Sequence, residues 1–395
     1  MEERRIAGDN VWFQGSLQPA AVAFSDGVIT RIESGKTVDV DYDYGDALIL
    51  PGFIDAHTHG NNGVSTLSAD EDEIARWQRE IAREGVTAFA ATTASAPYEK
   101  NLTVFERLSA CVGRPARIVP GAEVVGIYIE GNFIDKDYRG AQDLDAIATP
   151  SVEVLRDYLQ AAHDTVVRMI LAVEHDEGLE VLDEAIGRGV GVSIGHSGAS
   201  YSQVVEACTH GLDGVTHTYN GMASMHHRSP GIVGAAFDIA SLYAEVIADG
   251  HHVSWPAIRA LGRLKDDDHL VLVSDASPLK GYSGPLIDGI HIDEEGQFRT
   301  VSGALASSSM RMCDGVRNLI ECAGLSFRQA LQAATINPAR LLHCDNRKGT
   351  LDVGKDADIV VVDHAFRVQQ TYCRGIAMLG EGGLKYEGRR GHSSY

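Results

Sequence analysis

Several broad classes are excluded by what this chain has little of. Six cysteines in 395 residues stand apart at positions 111, 208, 313, 322, 344 and 373. None forms a CxxC pair, so neither a zinc ribbon nor a disulfide framework is indicated. Lysine and arginine total 34 against 55 aspartates and glutamates, a formal charge of −21. That deficit of positive charge argues against a nucleic-acid or anionic-membrane surface. It also requires that any anionic substrate meet a local basic pocket. No apolar run approaches the roughly 18 residues of a membrane span. The opening MEERRIAGDN has no apolar stretch of the secretory kind. Together with scattered thiols, this predicts a cytoplasmic protein. There is no internal repeat, low-complexity tract or long linker; the tail EGRRGHSSY is expected to be disordered.

What is present is alternation. The first fifty residues read as short strands: VWFQG and AAVAF, then the turn Ser25-Asp26-Gly27, then VITRIES, as in a hairpin. Between Leu48 and Cys344, eight apolar runs fit buried parallel strands: ILPGFIDAH, VTAFAATT, VVGIYIE, VVRMILAVE, GVGVSIGH, LDGVTHT, LYAEVIAD and HLVLVSD. Most precede a helical segment such as DEDEIARWQREIAREG. The pattern predicts an α/β fold, a (β/α)₈ TIM-like barrel over 51–347, with a doubly wound open sheet as the alternative. Residues 1–50 and 348–395 are both strand-rich and are expected to join into a small discontinuous β-sandwich domain.

The polar residues fall at one place in this pattern. His57 and His59 end the first strand, Glu130 the third, His196 the fifth, His217 the sixth and Asp275 the eighth. In a barrel these ends converge on one rim. The HxH spacing puts both imidazoles on one side of a strand. Imidazole and carboxylate together suit Zn²⁺, or Fe²⁺, better than Mg²⁺ or Ca²⁺. Glu130 can bridge two divalent ions, one held by His57 and His59 and the other by His196 and His217. Asp275 can take the proton of a nearby water as general base. Each residue has a bland reading: strand-end histidines are ordinarily structural, HxH recurs by chance, and acids after strands cap helices. Six at the same end of successive strands fit a metal centre better.

The ordered segments PGFIDAHTHG (51–60), GIYIEGNFIDKDYRGAQ (126–142), SIGHSGASYSQV (193–204), THTYNGMASMHHRSPGIVGAAF (216–237), ADGHHV (248–253) and LVLVSDAS (270–277) resemble the amidohydrolase superfamily, within it the N-acetylglucosamine-6-phosphate deacetylases. ALQAATINPARLL and GTLDVGKDADIVVVD continue the likeness. It implies metal-dependent hydrolysis of an acetamido-sugar phosphate, giving amine and acetate, with one or two ions per subunit. It further implies that Asp275 shuttles the proton and that His252 holds the substrate carbonyl or stabilises the oxyanion. Asn220 and Gly221 would grip the sugar, and Arg228 would reach the phosphate in the neighbouring subunit of a homodimer. Gln142 and His227 are further substrate-side candidates, whereas His226 and His251 read as structural. Tyr128 stands where such families have His, Asn132 and Val173 where they have Pro, and Gln142 where His is common. These departures keep open a related substrate (the galactosamine epimer, an unphosphorylated acetamido sugar or an N-acyl amino acid). A non-catalytic sugar-phosphate sensor is the reading from another class.

Overall fold

All eight apolar runs form strands of a single parallel sheet in a computed structural model that describes residues 3–35, 39–284, 290–295, 297–301 and 303–379. The strands are β1 (Phe53–Thr58), β2 (Val86–Thr92), β3 (Glu123–Ile129), β4 (Val166–Leu171), β5 (Gly191–Ile194), β6 (Gly214–Val215), β7 (Tyr243–Val246) and β8 (Leu270–Leu272). Each pairs in parallel with its sequence neighbours. A helix follows every one: α1 (Glu71–Ala82), α2 (Tyr98–Ser109), α3 (Val152–Ala161), α4 (Gly178–Gly187), α5 (Tyr201–Thr209), α6 (Gly231–Asp238), α7 (Trp255–Leu264) and α8 (Met312–Glu321). The start of α1 is set by a capping box, in which Asp70 accepts from the Glu73 amide while the Glu73 side chain accepts from the Asp70 amide. This is the (β/α)₈ barrel expected from the alternation.

Closure between β8 and β1 is made mainly at the carboxyl end. The Asp275 amide donates to the His57 carbonyl at 2.9 Å, and the His59 amide to the Ala276 carbonyl at 2.8 Å. Below them, buried Asp55 accepts from the Ser274 amide at 3.1 Å and its hydroxyl at 2.5 Å. Deeper in the seam, the Ile54 amide turns to the carbonyl of Ala334, and the Asn337 side chain donates to the carbonyl of Leu270 at 2.8 Å. Buried strand edges need such partners, because an unpaired peptide group is costly away from water. The barrel is therefore stitched shut at the rim that carries the candidate ligands.

The terminal strands join one another in one eight-stranded sheet that brings Arg4–Phe13, Ser16–Ser25, Val28–Ser34 and Leu48–Pro51 beside Ile359–Val362 and Val368–Cys373. The anticipated turn is present, with Asp26 and Gly27 at φ 51° and 85°, the geometry of a tight hairpin. The run ILPGFIDAH, read as one strand, is two. Gly52 separates Leu48–Pro51, which pairs with Ile359–Val362, from β1. A Cβ on Gly52 would lie 2.3 Å from the Thr87 side chain, so only glycine lets the chain cross from one sheet to the other. Alternate side chains serve separate cores: Ile49, Ile359 and Val361 pack within the terminal sheet, while Leu48, Leu50, Val360 and Val362 pack on the barrel. The tail 387–395 and the rest of 380–395 lie outside the described residues. Among the described residues no helix is long and apolar enough to cross a membrane.

A charge cluster ties the C-terminal strands to the barrel. Lys348, 1% exposed, meets Glu123 at the start of β3 at 2.9 Å, Asp356 at 2.8 Å and Asp358 at 2.6 Å, and Arg347 pairs with Glu123 at 2.9 Å. Burial opposes ionisation of Glu123, but Lys348 and Arg347 outweigh it and hold the carboxyl at about 2, against an ordinary 4.5. A depressed carboxylate stabilises the fold above its unfolded value and loses that contribution as pH falls toward its folded one. Glu123→Gln should therefore cost about 3 kcal/mol in urea denaturation at neutral pH. The gap to the unsubstituted protein should narrow as the pH is lowered from about 4.5 toward about 2.

Candidate metal and substrate site

The six strand-end residues meet around one carboxylate. Glu130, just past β3 and 3% exposed, has Oε1 at 3.2 Å from Nε2 of His196, 3.2 Å from Nε2 of His217 and 3.5 Å from Nε2 of His57. Its Oε2 lies 3.0 Å from Nε2 of His59, which is also 3.1 Å from Oδ1 of Asp275. Two ligand groups result, His57–His59–Asp275 and Glu130–His196–His217, in each of which the donor atoms lie within 4.8 Å of one another. The rings of His57 and His59 are 5.2 Å apart on the same side of β1, as their spacing requires.

The donor chemistry fits cations at this point. Nε2 of His57 is buried without a hydrogen-bond partner, and Nε2 of His196 and Nε2 of His217 face each other at 3.1 Å. Two imidazole nitrogens converging this way need a shared cation or proton between them. In two of these rings the other nitrogen is held from behind. His196 Nδ1 donates to the Tyr138 carbonyl at 2.8 Å, and His57 Nδ1 to Glu245 at 3.1 Å, which leaves each Nε2 free to ligate. His196, His217 and Asp275 all have positive φ, 47°, 27° and 46°, so the backbone is bent out of extended form to aim these groups inward. Gly221, at φ 59°, admits the His196 ring; a Cβ there would approach Nδ1 to 2.8 Å.

His59, Glu130, His196, His217 and Asp275 form the floor of a cavity of about 590 Å³, with His57 buried behind them. Asn220, Gly221, Gln142 and His252 line its walls, as do Leu67, Leu279 and Leu305. His252 donates from Nδ1 to Asp249 at 2.6 Å, and Asp249 also accepts the amides of His251 and His252. Burial disfavours the His252 cation, but the Asp249 carboxylate outweighs that and raises its pKa. Gln142 does more than line the wall: its Nε2 donates to Glu130 Oε2 at 2.9 Å, and its Oε1 accepts the Ser95 amide at 2.7 Å. His227 and Arg228 do not line this cavity. They sit exposed in the loop 222–230, 2.8 Å from each other.

A family model described as the amidohydrolase family matches residues 48–378. The chain belongs to the amidohydrolase family. This amidohydrolase is 33% identical over 383 residues to an N-acetylgalactosamine-6-phosphate deacetylase of Escherichia coli O157:H7, covering 95% of this chain and 98% of the relative. It is also 33% identical over 367 residues to an N-acetylglucosamine-6-phosphate deacetylase of Vibrio furnissii, covering 89% and 90%. Its fold superimposes with a TM-score of 0.88 on an N-acetyl-D-glucosamine-6-phosphate deacetylase of Mycobacterium smegmatis solved with N-acetyl-D-glucosamine-6-phosphate, at 26% identity and 96% and 100% coverage.

Several groups that shape the amidohydrolase site escaped the sequence reading. Glu245 lies inside β7, where an acid in an apolar run was the available signal. Asp249 and Asp55 hold site elements through hydrogen bonds that spacing does not reveal. Glu174, past β4, steadies the turn after His196 by accepting from the Ser197 hydroxyl at 2.7 Å and the Gly198 amide at 2.6 Å. The segment after β8 carries a short hairpin, Ile290–Ile292 with Phe298–Thr300, and brings Ile290 and Arg299 to the cavity. The sequence reading assigned it no structure.

Protons occupy this centre when cations do not. Burial disfavours a charged His59, yet Glu130 and Asp275 outweigh it and raise its pKa to about 9. A divalent ion must displace that proton, so loading should release protons into weak buffer. The apparent Zn²⁺ affinity measured by chelator competition should rise from about pH 6 to about pH 8. An affinity flat across that interval would contradict proton displacement.

Proposed function

We propose that this amide-bond hydrolase removes the acetyl group from N-acetylglucosamine 6-phosphate, giving glucosamine 6-phosphate and acetate. The observation that carries the reading is the convergence of His59, Glu130, His196, His217 and Asp275 on the floor of a cavity whose wall presents His252. The likeness to the two deacetylases over about nine-tenths of the chain supports the substrate class.

His57, His59 and Asp275 would hold one divalent ion and Glu130, His196 and His217 the other, with Zn²⁺ the expected metal. Bound there, a cation supplies Lewis acidity toward the amide carbonyl and lowers the pKa of water. The chain's own groups account for the rest. Water oxygen bonds to the amide carbon while Asp275 takes a proton from it. The C–N bond then breaks, acetate departs and Asp275 returns the proton to the leaving nitrogen. In the metal-free centre burial pushes the Asp275 carboxyl up, but the His59 hydrogen bond and the charge of His57 and His59 more than offset it, so it stands ionised and ready to accept. His252, held by Asp249, is placed to donate to the carbonyl oxygen as negative charge develops, an interaction whose loss typically costs about 10²–10³ in kcat. Asn220 and Gly221 would position the sugar.

Arg228 and His227 are exposed and do not line this chain's cavity. We therefore assign Arg228 to the 6-phosphate bound in the neighbouring subunit of a homodimer, where it supplies the cation that the net charge of −21 makes necessary. We also propose residues 1–50 with 348–395 as the small domain and 51–347 as the barrel. Cytoplasmic residence is supported by six free cysteines, four of them buried. Because the Escherichia coli relative is a galactosamine-epimer deacetylase, N-acetylgalactosamine 6-phosphate is the second substrate to test.

Zn²⁺-loaded protein incubated with both epimers should release free amine. Absence of product above a metal-stripped control would refute the assignment. Asp275→Asn should lower kcat by about 10²–10⁴-fold. Arg228→Ala should raise KM for phosphorylated substrate by about 10–100-fold while leaving unphosphorylated acetamido sugar unaffected. Mixing Arg228→Ala with Asp275→Asn subunits should regain activity if the arginine acts across the dimer.

A further inference from the structure

The barrel interior beneath the metal centre contains a carboxylate that the reaction does not use. Glu245, in the middle of β7 and 1% exposed, is satisfied by three donors. Its Oε1 accepts the Tyr128 hydroxyl at 3.0 Å. Its Oε2 accepts Nδ1–H of His57 at 3.1 Å and the backbone amide of His217 at 3.3 Å. The Tyr128 hydroxyl in turn takes a hydrogen bond from the Thr216 hydroxyl at 2.9 Å. A carboxylate can only accept, so this contact puts the His57 proton on Nδ1 and leaves Nε2, which has no hydrogen-bond partner, directed at Glu130 and Asp275.

We propose that Glu245 and Tyr128 are positioning residues that set the tautomer and orientation of His57 and so govern occupancy of the His57–His59–Asp275 cation position. The inference rests on the two-ion reading above. Among the described residues no carboxylate holds an imidazole ring of the other group from behind. His196 is held by a main-chain carbonyl, and Nδ1 of His217 has no partner. Glu245 meets the other group only through the backbone amide of His217, so its hold on an imidazole ring falls on His57 alone. It also gives Tyr128 a reason to be tyrosine: its hydroxyl spans to β7 and anchors the far oxygen of Glu245, so that the near one stays aimed at His57.

The test is metal binding by the full chain, stripped with chelator and reloaded with Zn²⁺, read by elemental analysis and by competition with a chromophoric chelator. The unsubstituted protein should hold two ions. Glu245→Gln should raise the Kd of one of them by about 10–100-fold and that of the other by a clearly smaller factor, and equal weakening of both would overturn the proposal. Tyr128→Phe should shift the same ion in the same direction by a smaller factor. It loses a single hydroxyl and keeps the measurement available if Glu245→Gln does not fold. Two ions with unaltered Kd in both variants overturn the proposal, as does an unsubstituted protein that binds only one. Both outcomes are independent of whether acetate is released, so the proposal and the deacetylase reading can fail separately.

Discussion

Burying a carboxylate costs several kcal/mol unless opposite charge or donors surround it, and Glu130 is buried at 3% exposure with four imidazoles and the Gln142 amide pressed against it. Its two oxygens face different partners, Oε1 toward His57, His196 and His217, Oε2 toward His59 and Gln142. That division makes one residue the shared edge of two ligand groups. Everything else at the rim serves to deliver the six side chains to this point: bent backbone at His196, His217 and Asp275, a glycine at position 221, and main-chain and carboxylate acceptors behind the rings.

The same constraint is built into barrel closure. β8 and β1 join through the Asp275 amide and the His57 carbonyl, so the hydrogen bonds that shut the sheet are made by the residues that hold the centre. Asp55, two residues before His57 and facing the same way, ties β1 to Ser274. Farther down, the seam is filled instead by Ala334 and Asn337. Stability of the fold and geometry of the site are therefore not separable along this edge, whereas the Lys348 cluster, at the other end of β3, serves only to dock the terminal strands.

Three of the four residues at which the resemblance implied a departure have physical roles. Asn132 adopts φ 61°, which proline cannot reach, and its side chain donates to the carbonyls of Ala96 and Ala146 while accepting from Asn101. Gln142 holds Glu130 directly, and Tyr128 reaches Glu245. Two of the three lie one hydrogen bond from a candidate ligand or its support. Nothing in the structure explains why Val173 stands in place of proline.

Strand-end chemistry was legible because periodicity is local. An apolar run that stops at His or Asp marks both the strand and its end, and HxH fixes a shared side for two rings. The barrel and the convergence of six candidate ligands on one rim follow from that pattern. Whether an acid inside an apolar run points into a barrel is not local. Glu245 gains meaning only when β3 and β7 bring Tyr128 and His57 to either side of it. The break at Gly52, the hairpin of Ile290–Ile292 with Phe298–Thr300 and the absence of His227 and Arg228 from the cavity lining likewise depend on contacts between distant segments. Spacing along a chain dictates which groups share a face, while the distances between faces, and hence the partners of each buried charge, exist only once the sheet has closed.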